Sequence, residues 1–101
     1  MNRIERIQVM EENLDRCTAA LKEMEKALDV FEASRSDYRR LVDYYGSTQW
    51  MRDFEADEAG KLPADLKRGV LSEDAVYDLI TNHHELIVRM MKLLTNEIDG
   101  K

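Results

Sequence analysis

One proline and four glycines in 101 residues leave few places where this chain is forced to turn. So little turn chemistry disfavours an all-β fold and favours long helices. A single cysteine, Cys17, excludes an intrachain disulfide and agrees with a reducing compartment. No wholly apolar run exceeds three residues, far short of the roughly 20 that cross a bilayer as a helix. Residues 1–6 also lack the apolar stretch of a signal peptide, and a cytoplasmic location is expected. Positive charge is in deficit, with 15 Lys and Arg against 21 Asp and Glu and a net charge of −6. That sign repels phosphate backbones and anionic headgroups over about a Debye length, so neither nucleic acid nor membrane is an expected partner.

What is present is a helical pattern. Charged residues make up 36% of the chain, and four Tyr, two Phe and one Trp supply anchors for one modest core. From Ile7 the apolar positions recur at spacings of three and four: Ile7, Met10, Leu14, Cys17, Leu21, Met24, Leu28, Phe31, then Tyr38, Val42 and Tyr45. This is a coiled-coil seam, broken once at Arg35. A continuous helix over residues 2–45 is expected, with Arg35 laying its stem along the seam and its charge in water. Gly46 is then expected to take the left-handed conformation that ends helices, and Ser47 or Thr48 to cap the next helix.

A short helix over 48–58 places Trp50, Met51 and Phe54 on one side and Asp53, Asp57 and Glu58 on the other. Residues 59–71 read as a compact connector containing a brief helix over 63–67, because Leu62, Leu66, Val70 and Leu71 have no reason to share water. Ser72 caps a last helix over 73–97, and Leu71 and Val76 stand at the spacing of a hydrophobic staple. Its stripe, from Val76, Leu79, Ile80 and His83 to Leu93 and Leu94, is wide enough for two neighbours. The fold expected is all-α in one domain: long helix, short helix, connector, long helix.

Straight helices of these lengths would measure roughly 60 Å and 38 Å, so the last cannot cover the whole of the first. The seam residues Ile7, Met10, Leu14, Cys17, Leu21 and Met24 are therefore the candidate interface, most simply of a homodimer, with an unidentified protein as a further partner. The competing arrangement is a break near residues 34–36 that folds the seam into a monomeric bundle.

Catalytic constellations are scarce. Cys17 lies in the seam, which reads as a buried structural thiol without a histidine to activate it. His83 and His84 are adjacent, about 100° apart on a helix, and lack the spacing of a zinc face. The acids Asp53, Glu55, Asp57 and Glu58 before Gly60 miss the calcium-loop pattern, whose closing Glu would fall at Ala64, and read as a solvated helix face. Gly60-Lys61 lacks the earlier Gly and the following Ser or Thr of a phosphate loop. No catalytic residue, metal or cofactor is expected. The one place for a small-ligand pocket is the mixed cluster Tyr44, Tyr45, Trp50, Asp53, Asp57, Lys61, Lys67 and Arg68, which would carry the alternative function of a ligand binder or minor enzyme.

The run Tyr44-Tyr45-Gly46-Ser47, Trp50, Asp53-Phe54-Glu55-Ala56-Asp57, Gly60-Lys61-Leu62-Pro63 and Leu66 through Asp74 resembles a family of small bacterial proteins catalogued as domain of unknown function 4298. The resemblance spans nearly the whole chain. It implies a bacterial, helical, single-domain protein and supplies no activity and no catalytic residues.

Overall fold

The computed structural model describes residues 1–100. Among them are four α-helices, one 3-10 turn and no strand: α1 (Arg3–Ala33), α2 (Arg35–Tyr45), α3 (Thr48–Glu58), the 3-10 turn Gly69–Leu71, and α4 (Ala75–Ile98). The all-α expectation holds. The chain divides into two compact units, Met1–Asp37 and Tyr38–Lys101.

The first unit is essentially α1. Asn2 and Glu5 have the spacing of a capping box: Asn2 Oδ1 accepts from the Glu5 N–H at 2.8 Å, and Asn2 Nδ2 donates to Glu5 Oε1 at 2.7 Å. Ion pairs Glu12–Arg16 at 3.5 Å and Glu23–Lys26 at 3.4 Å add the small support that i,i+4 and i,i+3 spacing gives an exposed helix. No residue of α1 is buried. Leu14 is 58% and Leu21 72% exposed, and Ile7, Met10, Met24 and Leu28 are exposed as well. Cys17, expected as a buried thiol, is also exposed. The reason is simple: this unit contains no second long helix to lie against the seam.

The continuous helix expected over 2–45 is interrupted at Ser34. Phe31 O, the carbonyl that would take the Arg35 N–H of a continuing helix, accepts instead from the Ser34 N–H at 3.2 Å, Ser34 Oγ at 2.8 Å and Arg35 Nε at 3.0 Å. Side chains thus compete with the backbone and end α1. Arg35 does not send its charge to water as expected, because its guanidinium carbon lies 3.5 Å from the centre of the Phe31 ring, a cation–π contact.

In the second unit, α2 hands over to α3 through one hydroxyl. Ser47 Oγ donates to Tyr44 O at 2.6 Å and accepts from the Trp50 N–H at 3.1 Å, closing one helix and capping the next. Gly46 does not take the expected left-handed conformation, since Gly60 and Gly100 are the glycines with positive φ. At Gly60, with φ of 70°, the Lys61 N–H reaches Ala56 O and the Gly60 N–H reaches Asp57 O, both at 3.0 Å, which is a Schellman ending for α3. A methyl group at Gly46 or Gly60 would meet no atom within 4 Å, so conformation alone decides. Gly46→Ala is expected to stabilise the fold by about 0.4–1 kcal/mol through the unfolded chain, and Gly60→Ala to destabilise it by about 1–2 kcal/mol. Urea midpoints of the two variants should move in opposite directions.

The brief helix expected over 63–67 is a single turn closed by Leu66 N–H to Pro63 O at 3.2 Å, and the helical geometry of the connector falls later, at Gly69–Leu71. That 3-10 turn packs against α3 and α4. Leu71 and Val76, expected as a staple pair, are the buried hydrophobic residues among the described ones, 6% and 3% exposed. Ser72 repeats the device of Ser47: its Oγ donates to Gly69 O at 2.7 Å and accepts from the Ala75 N–H at 3.2 Å. Of the wide α4 stripe, Ile80, His83, Ile87 and Met90 are half-buried, while Leu79, Leu86, Leu93 and Leu94 are exposed. His83 stacks on Tyr38 of α2 with ring centres 4.2 Å apart.

Candidate functional site

The residues singled out around the connector fall into two groups. The first is an aromatic clamp. Trp50 of α3 stacks on Phe54 one turn along, at 5.3 Å, and meets Tyr45 of α2 edge-on, also at 5.3 Å, geometries that aromatic quadrupoles favour. Each polar tip reaches a connector carbonyl: Trp50 Nε1 donates to Val70 O at 3.0 Å and Tyr45 OH to Glu73 O at 3.2 Å. The two rings therefore hold the chain on either side of Leu71.

The second group surrounds a recess of about 290 Å3 lined by Tyr44, Asp53, Leu62, Leu66, Lys67, Arg68, Val70 and Leu71. Its polar groups are largely engaged with one another. Tyr44 OH donates to Asp53 Oδ2 at 2.6 Å. The Arg68 guanidinium pairs with Asp57, donates a second bond to Pro63 O, and reaches Leu66 O at 3.3 Å through Nε. It thus ties the Pro63 turn to the last turn of α3. Asp53 and Asp57 are half-buried, which corrects the reading of Asp53, Glu55, Asp57 and Glu58 as one solvated face: Glu55 and Glu58 are exposed and the two aspartates are not. Lys67 is exposed and makes no ion pair among the described residues.

The bond to Asp53, then burial, then the negative charge of Asp53 raise the Tyr44 hydroxyl from 10.0 to about 12. Tyr44 is therefore a neutral donor at physiological pH and no base. The folded state holds this proton more tightly than the unfolded state, so the stabilisation is complete below pH 10 and is lost as pH rises from 10 towards 12. Urea midpoints measured across that window should fall in the wild type and fall less in Tyr44→Phe.

Of the residues expected to converge, Tyr44, Asp53, Lys67 and Arg68 share the recess, Asp57 joins it through Arg68, and Tyr45 and Trp50 form the neighbouring clamp. Lys61 lines neither; its backbone N–H belongs to the ending of α3 and its side chain is exposed. Sequence reasoning treats the apolar lining residues Leu62, Leu66, Val70 and Leu71 as connector packing and Phe54 as one side of α3, and so misses them as site residues. Their apolar character in one short connector is the signal that could have found them, although Leu66, expected to leave water with the others, stays 48% exposed. Beside this recess, an open groove of about 390 Å3 runs between Leu41, Val70, Val76 and Leu79.

Among the described residues no group of three or more His, Cys, Asp or Glu side chains is placed to hold a metal ion. No helix among them is long and apolar enough to cross a membrane. What the recess and clamp do chemically is close the connector over α3, with donors and acceptors matched inside the chain. Comparison with curated proteins gives no match. Comparison with protein families does: residues 7–93 match one family throughout, from the exposed α1 seam through the connector and its clamp to α4, and the chain belongs to the family described as domain of unknown function DUF4298.

Proposed function

We propose that this chain is a protein-interaction or scaffold module of the bacterial cytoplasm that works as a homodimer, its copies joined along Ile7, Met10, Leu14, Cys17, Leu21 and Met24. The observation that carries this reading is the run of apolar side chains at three-and-four spacing standing exposed on α1. A straight α-helix drifts by about 20° per heptad relative to such a pattern, so a sequence that keeps the pattern is suited to a supercoiled partner helix rather than to solvent. Burying one leucine, isoleucine or methionine is worth roughly 1.5–3 kcal/mol, and the seam offers Leu14, Leu21, Ile7, Met10 and Met24 in each chain.

A small-ligand role would use the recess beside Tyr44 and Lys67. The internal pairing of Asp53, Asp57 and Arg68 leaves little for a ligand to recognise, and the interaction reading is preferred. Light scattering on a sizing column across a wide range of loading concentrations tests the proposal. The expected mass is twice 11.8 kDa. A mass of one chain at every concentration would sink it.

A further inference from the structure

The charges beside the seam differ in what they do within the chain. Both ion pairs of α1, Glu12–Arg16 and Glu23–Lys26, lie on the face away from the seam. Arg6 and Glu11, which flank the seam on opposite sides, form no ion pair among the described residues. In heptad terms Ile7, Leu14, Leu21 and Leu28 occupy the first seam position and Met10, Cys17, Met24 and Phe31 the second. Arg6 then stands just before one heptad and Glu11 on the opposite flank, the two places that face each other between parallel helices.

The six interface positions continue in the same spacing through Leu28, 46% exposed, to the half-buried Phe31, and two pairings can bury this whole run. With the copies antiparallel, Ile7 lies level with Phe31 and Cys17 with Leu21 of the second copy. Glu11 then faces Glu25 of the second copy, and this like-charge contact occurs twice. With the copies parallel and in register, Arg6 faces Glu11 of the second copy, also twice, and Glu25 faces the uncharged Ala20. Opposite charges on these flanks select partner orientation, and like charges reject it. Resting on the homodimer reading above, we propose that the second copy lies parallel and in register on α1, held in that sense by Arg6 and Glu11, with the two Cys17 thiols facing across the seam.

Dimer dissociation constants from sedimentation equilibrium distinguish the two pairings by sign. In the parallel pairing Glu11→Arg opposes Arg6 and weakens the dimer about tenfold, and Arg6→Glu does the same. The double variant restores the constant to within about twofold. In the antiparallel pairing Glu11→Arg gains a bond to Glu25 and tightens the dimer. A second reading comes from incubating the wild type with oxidised glutathione. The two Cys17 thiols pass two electrons and two protons to one glutathione disulfide, which leaves as two thiols, and an S–S bond joins the copies. A covalent dimer, lost in Cys17→Ser, is expected. In the antiparallel pairing the two Cys17 are offset by about 6 Å along the axis as well as across it, beyond the roughly 7 Å that a disulfide spans. A wild-type dimer that Glu11→Arg tightens and that forms no covalent dimer overturns the orientation alone. A single-chain mass throughout overturns the homodimer reading and the orientation with it.

Discussion

Leu14→Lys together with Leu21→Lys is expected to reduce the particle from two chains to one and to remove part of its helical circular dichroism signal. Both leucines stand at the centre of the α1 seam and are exposed in the single chain. Each change removes roughly 1.5–3 kcal/mol of burial and brings an ammonium group to the interface. A dimer loses four leucines, so at least about 6 kcal/mol of association is at stake, or roughly four powers of ten in the dissociation constant. Helicity falls too, because nothing within the first unit supports α1. A helix without tertiary packing is marginal in water, whereas a packed amphipathic face sustains it. Trp50 fluorescence should stay native-like, since its clamp belongs to the other unit. Retention of the wild-type mass by this variant would mean that the seam is not the interface.

Trp50→Ala is the second change expected to have a large effect, and it acts on folding rather than association. The indole stacks on Phe54, meets Tyr45 edge-on and donates to Val70 O. In a unit whose buried hydrophobic residues are Leu71 and Val76, one half-buried indole is a large share of the packing. Truncation to alanine should cost about 3 kcal/mol. Trp50→Phe keeps an aromatic ring and loses the bond to Val70 O, for about 1 kcal/mol. Urea unfolding followed by circular dichroism would rank wild type above Trp50→Phe and Trp50→Phe above Trp50→Ala. A Trp50→Phe variant as unstable as Trp50→Ala would place the whole effect in the hydrogen bond instead of the rings.

The parts of this fold that were legible in the sequence are those governed by near neighbours. The helical pattern of α1, the serine cap at Ser47 and the ending at Gly60 are short-range patterns, and each is present. Leu71 and Val76 are both buried as expected. However, α4 begins at Ala75 behind Asp74, so Ser72, expected to cap the last helix, instead closes the 3-10 turn and bonds the Ala75 N–H. The break at Ser34 was legible only as the competing arrangement near residues 34–36, because a helix and a side-chain-capped stop differ by little energy there and Phe31 O decides between them. The conformation of Gly46 was hidden for a related reason: glycine permits a left-handed residue, but the Ser47 hydroxyl closes α2 without one. The pairing of Asp53 with Tyr44 and of Asp57 with Arg68 joins residues 9 and 11 positions apart on different elements. Acidity alone makes them look solvated, and only the path of the connector brings their partners near. The cluster as a whole was legible from composition; its internal matching of donors to acceptors was not.

The Ser47 hydroxyl, which closes α2 and opens α3, has a kinetic meaning. A helix end normally frays by itself, exchanging its amide protons with solvent on its own schedule. Here the Tyr44 carbonyl of one helix and the Trp50 amide of the next bond the same Ser47 oxygen, and the Ser47 N–H holds Tyr44 O as well, at 3.0 Å. Opening at this corner is one shared event for both helices, and the Trp50 amide should exchange its proton no faster than the end of α2 unravels.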